Sequence, residues 1–249
     1  MAKLKGILKI EGTLDELTFY KTQDGHLVKT KGGVSAERIA NDPNFQRTRE
    51  NGAEFGSSAT AGKLLRNAVR NLMMNAADNR VTSRLTQIMT QIKNYDVTSP
   101  RGERTVAIGI ADPAALALLK DFDFNDSAAL GGVLFAPFTV TGASGAINIP
   151  AFIPINDIAY PSGATHVSFK SAYAVVDFTN GTSAIEYSPV TNLPIDGTNT
   201  PVTLTPAGVP AGTGTKFYLM LIEFFQEVNG VQYSLKNGAY NVLNIVDVA

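Results

Sequence analysis

Beyond about residue 131 the sequence has one dominant pattern: apolar runs separated by short turns at intervals of about a dozen residues. The turns are built from Gly, Pro, Asn and Ser, and Asn180-Gly181 and Asn229-Gly230 are dipeptides that favour tight hairpins. This spacing is typical of an antiparallel β-sandwich, Ig-like or jelly-roll-like. We predict strands over 133–141, 147–153, 165–178, 183–188, 201–205, 215–227 and 230–247.

The region from residue 35 to 94 has helical spacing instead. Asp42-Pro43 is an N-cap followed by Pro at the first helical position, and Asn51-Gly52 weakens the helix that follows. Ser57 or Ser58 can cap a second helix. Asp78 can cap a third, whose apolar stripe is Val81, Leu85, Ile88, Met89 and Ile92. Beyond it we expect a strand over 105–110 and a short helix over 114–120.

The first 33 residues read as β structure with a basic surface. Strands over 17–22 and 26–31 flank Gln23-Asp24-Gly25, a strong hairpin signal, and we expect a strand over 4–10 and a turn over 12–15. A hairpin of this size cannot bury both of its faces alone. It must pack on its own helices, on the sandwich or on a neighbouring subunit, and strand addition to a neighbour's sheet edge is a common link between subunits.

We therefore predict an α+β fold, in which an N-terminal β-hairpin and a helical segment precede an antiparallel β-sandwich. The expected domains are residues 1–104, basic, and residues 105–249, acidic. The first half has 17 Lys and Arg against 11 Asp and Glu, and the second has 4 against 11. Three interpretations stay open: two ordinary domains with unequal surfaces, head-to-tail contact between copies, and nucleic-acid binding by the basic half.

The composition removes several kinds of chemistry. The chain has no Cys and only two His, His26 and His166, so it has no disulfide, thiolate metal site or three-histidine site. Asp121–Asp126 resembles the start of a calcium loop but lacks the Gly and Glu that such a loop needs. Gly212–Lys216 lacks the ending of a phosphate loop. We predict no enzyme, metal or cofactor, although a pair of catalytic carboxylates stays open because nothing selects one.

The densest basic patch runs from residue 44 to 70, and three interpretations of it stay open. It is a solvated helix face, an intersubunit contact, or a phosphate-binding surface that lacks the aromatic residues of a single-strand binder. Our hypothesis for an interface combines this patch with the hairpin: Lys9, Phe19, Tyr20, Lys29, Arg47, Arg49, Arg66 and Arg70.

The N-terminus has no signal-peptide core, and no run approaches the roughly 18 apolar residues of a membrane span. We expect a protein made in the cytoplasm, with a signal-free export route or a virion component released by lysis left open. Charged residues make up only 17% of the chain, and such a surface tolerates dense packing against other copies.

A resemblance to known sequences is carried by four segments: Gly-Ile-Leu-Lys-Ile-Glu-Gly-Thr-Leu (6–14), Leu-Thr-Phe-Tyr-Lys (17–21), Phe-Gln-Arg-Thr-Arg-Glu-Asn-Gly-Ala-Glu-Phe-Gly (45–56) and Ala-Gly-Lys-Leu-Leu-Arg (61–66). They are similar to an uncharacterised family of Bacteroidota-type bacterial proteins, with a hairpin-plus-helix N-terminus and a variable β-rich C-terminus. The resemblance covers about a quarter of the chain. It implies a bacterial or phage-associated origin and carries no activity or site residue.

Together these patterns predict a non-enzymatic structural protein that assembles with itself, or with other structural proteins, into a filament, tube or shell. The alternatives are a β-sandwich module that binds carbohydrate or protein through a cleft near Tyr160, Tyr173 or Tyr187, and a nucleic-acid-associated protein. The nucleic-acid role is the less favoured one.

Overall fold

The computed structural model describes residues 2–3, 10–30, 32–235 and 238–249, and for residues 2–3 the backbone alone. The chain divides into two compact units, Met1–Arg49 and Glu50–Ala249, which we describe separately. Most of the strand predicted over 4–10 lies outside the described residues, and so does Lys9.

The N-terminal unit contains a four-stranded antiparallel sheet in the order β1-β4-β3-β2. Its strands are β1 (Ala2–Lys3), β2 (Gly12–Leu14), β3 (Leu17–Thr22) and β4 (Gly25–Thr30). The predicted hairpin at Asp24-Gly25 is confirmed, since Thr22 pairs with Gly25 and Gly25 has a φ of 111°. The turn predicted over 12–15 lies three residues further along the chain, at Asp15. Gly12–Leu14 is a strand, and the chain reverses at Asp15, whose φ of 48° Asp tolerates better than most residues.

Two short helical elements follow, each capped by a side chain, and the cap at Asp42 is the predicted one. Helix α1 (Ala36–Asn41) begins where the Ser35 side chain accepts a hydrogen bond from the Arg38 N–H at 3.2 Å. A 3₁₀ turn, Pro43–Phe45, begins where Asp42 Oδ1 accepts from the Asn44 N–H at 2.9 Å. Helix α2 (Gln46–Ala68) comes next.

Helix α2 is one element of 23 residues, where the sequence predicted two. Asn51-Gly52 does not interrupt it, because a weak helix former in a long helix costs only about 1 kcal/mol and packing elsewhere offsets that cost. Ser58 is buried and donates to the Glu54 carbonyl at 2.9 Å, so it is an interior residue and not a cap.

The C-terminal unit continues with α3 (Arg70–Met73), α4 (Val81–Ile92), a 3₁₀ turn at Lys93–Tyr95, α5 (Val106–Gly109), α6 (Pro113–Ala117), α7 (Leu130–Val133) and α8 (Pro154–Asp157). The predicted stripe of α4 is confirmed, with Val81, Leu85, Met89 and Ile92 buried. The strand predicted over 105–110 is wrong. The Thr105 side chain accepts from the Ile108 N–H at 3.4 Å and starts α5 there.

Two antiparallel sheets complete this unit. The small one has the order β10-β6-β5, formed by β5 (Thr139–Thr141), β6 (Ala146–Ile149) and β10 (Val202–Leu204). The large, curled one contains β7 (His166–Asp177), β8 (Thr182–Tyr187), β9 (Thr191–Pro194), β11 (Thr215–Val228), β12 (Val231–Ser234) and β13 (Val242–Val248). The long strand expected over 230–247 is therefore two strands, and the strand expected over 133–141 begins only at Thr139.

The centre of the large sheet is the pairing of β7 with β11, in register from His166–Phe225 to Val176–Thr215. Alternate side chains of these strands enter different hydrophobic clusters. Ala172, Ala174 and Phe217 pack with the helices, whereas Val167 and Met220 pack with the small sheet. The two strands are therefore buried on both faces, as their continuous buried runs 171–176 and 217–222 show.

The fold is α+β. Helices α2 to α6, which lie on both sides of the domain boundary expected between residues 104 and 105, share one hydrophobic cluster with the large sheet. An amphipathic helix must bury its apolar stripe, and the sheet face supplies the surface. In the part of the chain that the structure describes, no helix is long and apolar enough to cross a membrane.

Candidate assembly surface

One face of the N-terminal sheet is apolar and open. Cross-strand pairs place Leu14 opposite Leu17, and Phe19 opposite Val28, on the same side of the sheet. We call these four side chains the apolar face. Leu14 is 63% exposed and Leu17 41%, while Phe19 and Val28 are half-buried. Within residues 10–30 and 32–49 no side chain is buried, so the described part of this unit has no core of its own.

The other side of the sheet carries Tyr20 and Lys29, two further residues of the interface hypothesis. The Lys29 ammonium lies 5.6 Å from the centre of the Tyr20 ring, a distance at which a cation–π contact is favourable. Phe19 and Tyr20 are adjacent in sequence and therefore point to opposite sides. The sheet does not bring the three predicted residues onto one surface.

The arginines of the hypothesis have different environments. Arg49 donates from Nη1 to the carbonyls of Ile39 (2.7 Å) and Asp42 (3.0 Å), so it holds the end of α1. Arg47 is exposed.

Arg66 and Arg70 lie in different helices. The α-helix is interrupted at Val69, so Arg66 lies in the last turn of α2 and Arg70 begins α3. Arg70 is exposed, whereas Arg66 is half-buried and burial lowers its pKa. Its Nη1 atom is buried without a hydrogen-bond partner among the described residues.

A buried ion-pair network that sequence reasoning missed lies in the C-terminal unit. Glu54 is only 1% exposed and accepts from the Lys93 ammonium, from Arg104 Nε at 2.9 Å and from the Gly102 N–H at 2.8 Å. Burial alone would raise the pKa of Glu54, but these donors outweigh it and lower that pKa to about 2. The acid and its partners are 39 to 50 residues apart, and no local pattern joins them.

Asp96 stabilises the loop between α4 and α5 through hydrogen bonds to other residues of that loop. It is 1% exposed, and its carboxylate accepts from the N–H groups of Ser99 (2.9 Å) and Thr105 (3.0 Å). Burial opposes ionisation, but these hydrogen bonds hold the pKa of Asp96 well below its usual range. Charge-assisted hydrogen bonds therefore act in two ways here: those of Glu54 tie the loop between α4 and α5 to α2, and those of Asp96 hold the loop in its own conformation.

The segment that resembles a calcium loop has a structural role. The N–H groups of Asp121 and Phe124 donate at 2.8 Å to the carbonyls of Ile245 and Leu243, which covers the outer edge of β13. Asp123 Oδ1 accepts from Asn244 (2.8 Å) and Leu130 (3.0 Å), and burial raises its pKa. No group of three acidic or histidine side chains with metal-binding geometry occurs among the residues described.

The remaining candidates bring no reactive pair together. Gly212–Gly214 is a turn before β11, and Gly214 lies so close to β7 that a Cβ there would be 2.5 Å from the Val176 carbonyl oxygen. His166 Nε2 is 3.6 Å from a Glu227 carboxylate oxygen in a partly exposed pair. His26 lies on the N-terminal sheet opposite Lys21.

The C-terminal unit also has a groove of about 670 Å³ between α2, α5 and the turn after β7. Leu64, Ile108 and Phe178 make much of its lining apolar, and Lys63 is the one titratable lining side chain in the described part of the chain. The volume is in the range of small-molecule sites, but the groove has no acid–base pair. Of the tyrosines expected near a cleft, Tyr173 is 1% exposed and packs on Tyr218 in the core.

Comparison of the chain with models of protein families, with curated proteins and with solved structures finds no match. The resemblance of the N-terminal segments to Bacteroidota-type proteins therefore stays an expectation. The observations that bear on function are therefore the burial and the charge of the two units.

Proposed function

We propose that this protein is a non-enzymatic structural subunit that assembles with copies of itself through its N-terminal sheet. The observation that carries the proposal is the lack of buried side chains in the described part of residues 10–49. A small sheet without a core is at best marginally stable in water, and contact with another surface supplies the missing burial.

The exposed apolar face supports this proposal, because solvent contact with Leu14 and Leu17 is unfavourable and is relieved by association. The two units also have net charges of opposite sign. Residues 1–49 have nine Lys and Arg against six Asp and Glu, whereas residues 50–249 have twelve against sixteen. Opposite net charges favour contact between the N-terminal unit of one copy and the C-terminal unit of another, and the low overall charge limits repulsion.

The finer assignment of the large and small sheets to an Ig-like or jelly-roll-like sandwich is part of the proposal. It is supported by the packing of Ile147, Ile149 and Val202 from the small sheet with Phe169 and Ile222 from the large one. On this reading the C-terminal unit is the rigid body of the subunit, and the N-terminal sheet is its connector.

The arginine environments give the nucleic-acid alternative less support. Arg49 already donates to two backbone carbonyls, and Arg66 is half-buried. Arg47 and Arg66 lie near opposite ends of α2. The binding-module alternative also has less support, because Tyr173, one of the tyrosines expected near a cleft, is buried in the core.

Deletion of residues 1–33 tests the proposal. Among the described residues, neither hydrophobic cluster contains a side chain from the first 49 positions, so we expect the truncated chain to fold. Light scattering and negative-stain electron microscopy should show oligomers or polymers for the full chain and a monomer for the truncated one. Near-ultraviolet circular dichroism is the control for folding.

A full-length chain that stays at 26.5 kDa over the accessible concentration range would contradict self-assembly. A folded, truncated chain that assembles as well as the full chain would contradict the role of the N-terminal sheet.

A further inference from the structure

The apolar face of the N-terminal sheet has charges of opposite sign at its two ends. Lys21 and His26 form the cross-strand pair next to Phe19–Val28, toward the β3–β4 turn. At the other end, the β2–β3 turn Asp15–Glu16 directly joins the paired residues Leu14 and Leu17. The face therefore runs from a basic end, across two apolar pairs, to an acidic turn.

The charges at these ends are not used within the described structure. Lys21, Asp15 and Glu16 are all exposed, and none of their side chains forms an ion pair with another described residue. The opposite side of the sheet lacks this arrangement, because its cross-strand pairs are Thr18–Lys29 and Tyr20–Leu27.

We propose that the apolar face binds the same face of a second copy about a two-fold axis, so that the Lys21 end of each copy meets the acidic turn of the other. A two-fold axis that lies between the two sheets, parallel to them and perpendicular to the strands, turns the two faces toward each other and reverses the strand direction, so each face becomes complementary to itself. Stacking in the same direction would instead bring like charges together, which is unfavourable. The inference rests on the proposed self-assembly and specifies one of its contacts.

The size of the contact makes it weak. Strands of six residues are about 20 Å long, and three neighbouring strands span on the order of 10–15 Å, which gives a face of roughly 300 Å² per copy. Stable interfaces bury about 800 Å² on each partner. We therefore expect dimerisation at this face to depend strongly on concentration, and larger assemblies to need a second contact.

Exchange of the two charges provides the test, on the full-length chain. We expect Lys21→Glu and Glu16→Lys each to weaken self-association about tenfold, because each reversed charge acts twice in a two-fold contact. The double variant should return to within about twofold of the wild-type dissociation constant, measured by analytical ultracentrifugation. Asp15 stays unchanged because its positive φ disfavours Lys.

Lys29→Glu is the matched control, since it makes the same charge change on the other side of the sheet. It should leave the dissociation constant within about twofold of wild type. A double variant that associates no better than either single variant would overturn the two-fold contact, because no charge pairing would have been restored.

Cross-linking gives an independent readout. The chain has no Cys, so a Cys introduced by mutation is the single thiol that a cross-linker can join. Val28→Cys places a thiol on the apolar face, and Leu27→Cys places one on the opposite side, one residue away in β4. With a short bis-maleimide we expect covalent dimers from Val28→Cys and few from Leu27→Cys. Equal cross-linking of the two variants would overturn the proposal.

The outcomes separate this inference from the function on which it rests. If the chain associates but neither the charge exchange nor the cysteine position matters, only the two-fold contact is refuted. A chain that is monomeric at every concentration refutes both.

Discussion

At the scale of single residues, the most constrained side chain is Glu54. A carboxylate that is 1% exposed is costly to bury unless its charge is compensated. Lys93, Arg104 and the Gly102 N–H supply that compensation from one loop, so helix and loop depend on each other. Buried ion pairs add little net stability over apolar packing, but loss of one partner leaves the other charge uncompensated.

We therefore expect Glu54→Gln to lower the free energy of unfolding by about 3–5 kcal/mol, measured by chemical denaturation, because Lys93 stays buried without an anion. The matched control is Glu50→Gln, one helical turn earlier. Glu50 pairs with a half-exposed Arg101 at 3.4 Å, so its loss should cost less than about 1 kcal/mol. Equal effects would show that Glu54 is not the anchor of the loop.

The same group also predicts a pH dependence. The folded-state pKa of Glu54, about 2, is below its ordinary value of 4.5, so its contribution to stability is complete above pH 4.5 and is lost as the pH falls toward 2. Glu54→Gln should flatten the stability curve in that interval without making it level, because the pKa of Asp96 is lowered as well. An unchanged slope would contradict the assigned environment.

At the scale of elements, the sequence predicted those whose residues repeat a strong pattern. Strands β7 and β11 lie where apolar runs bounded by turn residues place them, and helix α4 lies where the period of 3.6 residues places it. The strand predicted over 105–110 is wrong because a short apolar run fits a strand or a helix equally well. The sequence showed the candidate site only in part. Alternation along a strand already separates Phe19 from Tyr20, but the cross-strand register decides that Phe19 faces Val28, and the Glu54 network joins segments that are distant in the chain.

The packing of α5 against the end of α4 depends on Gly109. A Cβ at this position would lie 2.2 Å from the Ile92 carbonyl oxygen, a backbone atom that cannot move aside alone. We expect Gly109→Ala to destabilise the protein by about 1–3 kcal/mol. Gly131→Ala in α7 is the control: a Cβ there meets no atom within 4 Å, so it should be neutral or slightly stabilising in the same denaturation experiment.

At the scale of the whole molecule, the two units differ in how they gain stability. The C-terminal unit has two hydrophobic clusters on either side of one sheet, so its elements unfold together at a high cost. Among the described residues of the N-terminal unit no side chain is buried, and such a region opens locally at a low cost. If association supplies the missing burial, the stability of the N-terminal unit depends on protein concentration, whereas that of the C-terminal unit does not.

Limited proteolysis separates these two behaviours. Lys21, Lys29 and Arg47 are exposed sites for trypsin in the N-terminal unit. At concentrations where light scattering gives a monomer, we expect the first cuts within residues 1–49 and a resistant fragment that contains the large sheet. At concentrations where the chain associates, cleavage at Lys21 and Lys29 should slow at least severalfold, while cleavage within residues 50–249 keeps its rate. Equal protection of the N-terminal unit in monomer and assembly would mean that this sheet is stable by itself, and the reason for association would then have to lie elsewhere in the chain.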